Sequence, residues 1–171
     1  MNRQSFFKQA IIAAGGMITS PFSFAGVNAN SYQTAAEPLP PDLVKEFVIA
    51  GHKDLDKVKS MLQETPALIY ATWDWGGGDF ETAIEGAGHV GNREIANYLI
   101  QKGARTNLFV LTMLGEKKIV TSFLDKFPEY IEARGPHGFT LLHHANVGGQ
   151  YASELADYLK GKGLTKTKID T

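Results

Sequence analysis

The sequence predicts an all-α fold, a helical solenoid of about four helix-turn-helix units, on three observations. First, a helix-capping residue stands nine positions before a glycine four times: Asp42 and Gly51, Thr82 and Gly91, Thr106 and Gly115, Thr140 and Gly149. Asp and Thr accept an orphan N–H of a first helical turn, and Gly tolerates the left-handed backbone that ends a short helix. Second, the segments that follow these glycines echo one another. Glu94-Ile95-Ala96-Asn97-Tyr98-Leu99 returns as Glu154-Leu155-Ala156-Asp157-Tyr158-Leu159, and Val58 to Leu62 is echoed by Val120 to Leu124. Third, Pro66-Ala67-Leu68-Ile69 matches Pro128-Glu129-Tyr130-Ile131, so units one and three resemble each other and units two and four do likewise. Self-similarity of this kind marks stacked repeats, in which each helix pair buries its apolar face only against a neighbour.

The elements follow in order. Unit one pairs a helix near 42–50 with one near 55–64, carrying Val44, Phe47, Val48 and then Leu55, Val58, Met61, Leu62 at helical spacing. Pro66 stops it. Unit two pairs 82–90 with 92–102, and Thr82 with Glu85 makes a capping box. Unit three pairs 106–114 with 116–127 and joins unit two almost directly. Unit four pairs 140–147 with 152–160. Two joins are long, Tyr70 to Glu81 and Glu129 to Phe139, and these are expected to project as loops.

The repeat domain spans 42–164 on this reading, with 165–171 as a flexible tail. Residues 26–41, rich in Asn, Ser, Thr and ending in Pro38-Leu39-Pro40-Pro41, form a linker. Residues 1–25 read as a signal peptide: Arg3 and Lys8 precede a short apolar run from Ala10 to Ile18, and Ser23 and Ala25 supply the small residues of a cleavage site. Asn2 to Lys8 is similar to the twin-arginine export pattern, with Gln4 in place of the second arginine; cleavage after Ala25 or Ala29 and export by the Tat or Sec route are both compatible. Loss of Arg3 and Lys8 leaves 15 basic against 18 acidic residues, a net charge of -3, where the whole chain carries -1. That balance gives no electrostatic case for nucleic acid. No apolar run is long enough to insert in a membrane after signal cleavage. With no cysteine, disulfides, thiol nucleophiles and thiolate zinc sites are excluded.

Gly138-Phe139-Thr140-Leu141-Leu142-His143-His144-Ala145 is similar to the opening of an ankyrin repeat, with Leu141 where proline is usual. Gly91 to Ala104, GNREIANYLIQKGA, is similar to its second helix and close. The resemblance covers 42 to about 164 and is strongest in units two and four. Within ankyrins the chain resembles exported bacterial proteins carrying a W-D-W-G-x-G-D-[WF]-E-T-A segment and a later G-P-H-G segment. The resemblance implies L-shaped helix pairs and a concave face on which a partner protein binds. Unit two departs from the pattern, with Glu85 where ankyrins place histidine.

Two loops carry the unusual residues. Trp73-Asp74-Trp75-Gly76-Gly77-Gly78-Asp79-Phe80 brackets three glycines with aromatic residues, which suits a binding anchor or a cap on the core. Arg134-Gly135-Pro136-His137-Gly138 is the second. The expectation is a monomeric, non-catalytic interaction module in the periplasm or outside the cell, without cofactor or metal. It binds a protein partner through Trp73, Trp75, Asp79, Arg134, His137 and His144. Two alternatives stand beside it. Asp74, Asp79, Glu81 and Glu85 near His89, or His137, could serve a small-molecule or metal-dependent hydrolase, provided the fold brings them together. The chain could also be an accessory factor that stabilises a co-exported enzyme. His143 occupies the ankyrin position whose imidazole bonds between neighbouring units; His144, beside it, points elsewhere on the helix and is expected on the concave side.

Overall fold

Helix boundaries follow from which residues can satisfy the unpaired N–H and C=O groups of each helix end. The computed structural model describes residues 37–169; the expected signal peptide, most of the linker, and residues 170–171 lie outside the described residues. Eight helices and one hairpin are present among them. They are α1 (Pro41–Lys53), α2 (Leu55–Glu64), β1 (Thr72–Asp74), β2 (Phe80–Thr82), α3 (Ala83–Val90), α4 (Arg93–Gln101), α5 (Leu108–Leu114), α6 (Lys117–Lys126), α7 (Leu141–Val147) and α8 (Ser153–Gly161). No helix is long and apolar enough to cross a membrane.

Two of the four expected caps hold and two move. Thr82 caps α3 through the full capping box, and Gly91 ends it at φ 78°. Thr140 caps α7. Asn107 rather than Thr106 caps α5, accepting from the Val110 N–H at 3.1 Å, because the helix begins one residue later than expected. Asp42 is no cap: α1 starts at Pro41, whose missing N–H would have been an orphan in any case. Nor does Gly51 end α1. It is buried where α1 crosses α3, and a side chain there would overlap the Ala83 backbone. α7 ends at Gly148, with Gly149 opening a short 3-10 turn.

The first helices pack in succession, α1 on α3, α3 on α5 and α5 on α7, and each packs on the second helix of its own pair. One apolar cluster joins the first two pairs around Phe47, Ile95 and Leu99 and continues to Met113. Another fills the second half around Leu141, Leu155 and Leu159. Of the two long joins, the first turns through a 3-10 segment, Pro66–Tyr70, into an antiparallel hairpin in which Trp73 faces Glu81 across the strands. The second runs through 3-10 turns at Pro128–Glu132 and Pro136–Gly138.

Residues 165–169, expected as a flexible tail, run along 138–140 instead. The Thr140 N–H donates to the Thr167 carbonyl at 3.1 Å, its hydroxyl to the Lys166 carbonyl at 2.7 Å, and the Ile169 N–H to the Gly138 carbonyl at 2.9 Å. Leu164, at 3% exposure, anchors the segment in the core.

Candidate metal centre

Three imidazoles and one carboxylate converge where the hairpin, α1, α3 and the 134–139 loop meet. His52 lies in the last turn of α1, Glu81 in the middle of β2, His89 in the last turn of α3 and His137 at the turn Pro136–Gly138. One donor atom from each lies within 4.8 Å of all the others. His89 Nε2 is 2.8 Å from Glu81 Oε1 and 3.0 Å from His52 Nε2. His52 Nε2 is 3.5 Å from Glu81 Oε2, and His137 Nε2 is 3.5 Å from Glu81 Oε1.

Three of the four donors are oriented by a second contact. His52 Nδ1 donates to the Val48 carbonyl one helical turn back, at 3.0 Å. His137 Nδ1 donates to Asp79 Oδ2 at 2.7 Å, while its backbone N–H donates to Asp79 Oδ1 at 2.8 Å. Those donations fix the tautomers of His52 and His137, so their Nε2 lone pairs face the centre. Carbonyl and carboxylate partners on the outer nitrogen are the usual support of a metal-binding histidine. Trp75 Nε1 donates to Glu81 Oε2 at 2.8 Å and holds the carboxylate in place.

Electrostatics leave the cluster one component short. Glu81 is fully buried. His89 Nε2 stands 2.8 Å from its Oε1 and 3.0 Å from His52 Nε2, and its single proton can serve only one of them. Lone pairs of His52 and His137 therefore face a buried carboxylate, a repulsive arrangement that a cation between them would relieve. Metal–donor bonds of about 2.1 Å at tetrahedral or octahedral angles put neighbouring donors about 3.0–3.4 Å apart, and the separations here bracket that range. Imidazole with carboxylate suits zinc, iron, nickel or copper. Burial raises the Glu81 pKa, but His89, His52 and the Trp75 N–H outweigh it and leave the carboxyl below the usual glutamate range. Asp79 behaves alike: slight burial raises its pKa, while the two His137 hydrogen bonds and the charges of His137 and Lys168 lower it.

The backbone carries strain at the same place. His137 sits at φ 59°, alone among described non-glycine residues in the left-handed region, at a cost of about 1–2 kcal/mol. Its paired bonds to Asp79 hold it there, and strained residues of this kind concentrate at ligand sites.

The residues singled out in the sequence fall as follows. Asp79 and His137, expected to meet a partner protein, bind each other. Trp75 keeps 37% of its surface exposed but commits its N–H to Glu81. Trp73 is half-buried, with the Lys45 ammonium 5.3 Å from its ring. Arg134 is exposed. His144, expected on a binding surface, is 1% exposed: its Nδ1 donates to the Thr140 carbonyl at 2.8 Å and its ring packs on Phe109. His143 stacks on Phe139 and donates to the His89 carbonyl at 2.8 Å, tying unit four to unit two. Asp74 accepts from the Gly76 N–H, and Glu85 serves the cap and Asn107, so neither joins the centre. His52 was not among the candidates. It lies in an ordinary amphipathic helix, and no local signal marks it. The chain matches no protein-family model, no curated protein and no solved structure.

Proposed function

We propose that the protein is a metal-dependent enzyme that holds one divalent transition-metal ion at His52, Glu81, His89 and His137, on an ankyrin-type solenoid. The observation that carries this reading is the fully buried Glu81 carboxylate, which three imidazole Nε2 atoms approach within 2.8 to 3.5 Å. The successive packing of first helices supports the solenoid, and the basic, apolar, small-residue order of 1–25 supports export. A histidine and carboxylate set without thiolate is the type found in catalytic sites, and with four protein ligands a substrate or water would take a fifth position on the ion. Partial exposure of His52 and His137, at 22% and 27%, leaves a side open to a substrate. An ion bound there would act as a Lewis acid and lower the pKa of a bound water to about 7, which suits hydrolysis of a small molecule. The same geometry argues against the two loops as a protein-docking face, since Asp79, His137 and Trp75 turn their polar groups inward.

The test is calorimetric titration of the chelator-stripped full-length chain with Zn²⁺, Co²⁺ and Ni²⁺, with metal content counted by mass spectrometry. One ion per chain is expected. Glu81→Gln and His89→Ala should each weaken binding about 100-fold or more, since even supporting residues are worth 10–100-fold. Circular dichroism identifies variants that fail to fold. Absence of binding, or variants that bind as the wild type does, would overturn the assignment.

A further inference from the structure

A cleft of about 550 Å³ opens beside the centre, between Gly76–Asp79 of the hairpin, Arg134–Gly138 and the Lys168–Ile169 segment. Its size is that of a small-molecule site. Gly76, Gly77 and Gly78 all have positive φ, and nothing lies within 4 Å of where side chains on Gly76 and Gly77 would project, so that wall is open backbone. His137 belongs to both structures. Its ring lines the cleft, while its Nε2 faces Glu81.

Two cations against one carboxylate line the cleft. Arg134 and Lys168 line it, and neither makes an ion pair among the described residues. Asp79, the one carboxylate in the lining, already accepts two hydrogen bonds from His137. Packing of 165–169 against 138–140 is what brings Lys168 to this rim.

We propose that this cleft binds a small organic anion bearing carboxylate or phosphate groups, held by Arg134 and Lys168 and reaching His137, the residue the cleft shares with the metal centre. The inference rests on the metal-centre reading and deepens it by naming the substrate class. Arg134 supplies a fork of donors matched to carboxylate or phosphate oxygens, and Lys168 adds a point charge. The three glycines let an anion approach backbone closely.

The test uses the full-length chain loaded with Co²⁺, whose visible absorption reports changes in its ligands. Succinate and inorganic phosphate are titrated separately into the wild type and into the Arg134→Gln/Lys168→Gln double variant. The wild type should show a saturable spectral shift with one or both anions, which tells carboxylate from phosphate preference. The double variant should bind Co²⁺ unchanged but respond to the anion about tenfold more weakly or worse, as expected for the loss of two charge-assisted contacts. A Co²⁺-loaded wild type unmoved by either anion, or a double variant that responds equally, would overturn the anion site while leaving the metal centre intact. Failure to take up Co²⁺ at all would overturn the centre itself, and this inference with it.

Discussion

Acidification should destabilise the metal-free protein through His144. This imidazole is 1% exposed, donates from Nδ1 to the Thr140 carbonyl and packs against Phe109. Burial lowers its pKa from 6.5 to about 4; the Thr140 hydrogen bond opposes that, and the neighbouring charges of His143 and His89 add to it. Because the folded value lies below the unfolded one, the unfolded chain takes up a proton between about pH 6.5 and 4 while the native chain does not. The stabilising contribution is thus fully present above pH 6.5 and falls away as pH drops towards 4. Between pH 7.5 and pH 5 the loss is about 2 kcal/mol, approaching about 3 kcal/mol at still lower pH, at 1.36 kcal/mol per unit. The assay is urea unfolding at pH 7.5 and pH 5, in chelator so that protons and metal do not compete at the centre. Wild type should lose about 2 kcal/mol more than His144→Gln over that interval. His143 is shifted in the same direction by burial, so the variant keeps a residual slope. Equal losses in the two proteins would refute the reasoning.

Two further substitutions test the helix ends of the fold, the first of them on the helix that carries His89. Thr82→Ala removes the cap on α3, whose last turn carries His89, and should lower stability by about 1 kcal/mol in urea unfolding. Gly115→Ala places a side chain at φ 80° against the Tyr151 carbonyl and should cost more than about 2 kcal/mol, read as a lower thermal midpoint.

Local chemistry was legible in the sequence and convergence was not. The helix from Thr82 to Gly91 could be read because its cap, its box partner Glu85 and its closing glycine all act within ten residues. Thr106 misled because Asn107, an equally good cap, stands next to it, and nothing local chooses between them. Gly51 misled for a different reason: a glycine that lets two helices approach looks, in sequence, like one that ends a helix. Glu81, His89 and His137 were each visible as unusual. His52 was not, since its neighbours 81, 89 and 137 reach it only through the stacking of α1 on α3 and the return of the second loop. The tail was read as frayed on its Lys and Thr content, whereas backbone pairing with 138–140, invisible in composition, orders it.

That convergence bears on why Glu81 is a glutamate at all. A fully buried carboxylate carries a desolvation penalty of several kcal/mol, and a well-packed apolar side chain facing Trp73 across the hairpin would avoid it. Neutral histidines alone compensate poorly, since two of the three imidazoles have their protons committed outward, to Val48 and Asp79, and the one proton of His89 Nε2 cannot serve both Glu81 Oε1 and His52 Nε2. The left-handed His137 adds a second cost at the same point. Two unfavourable features meeting in one place, of which a cation would relieve the buried charge, are hard to explain as scaffold and are what a binding site held ready for its ion requires. Glu81→Gln is therefore the discriminating variant for the whole account. If the site is an ion site, it weakens metal binding about 100-fold or more while leaving the stripped protein as stable as before or more so. If Glu81 is merely structural, its loss lowers stability and changes nothing in the presence of metal.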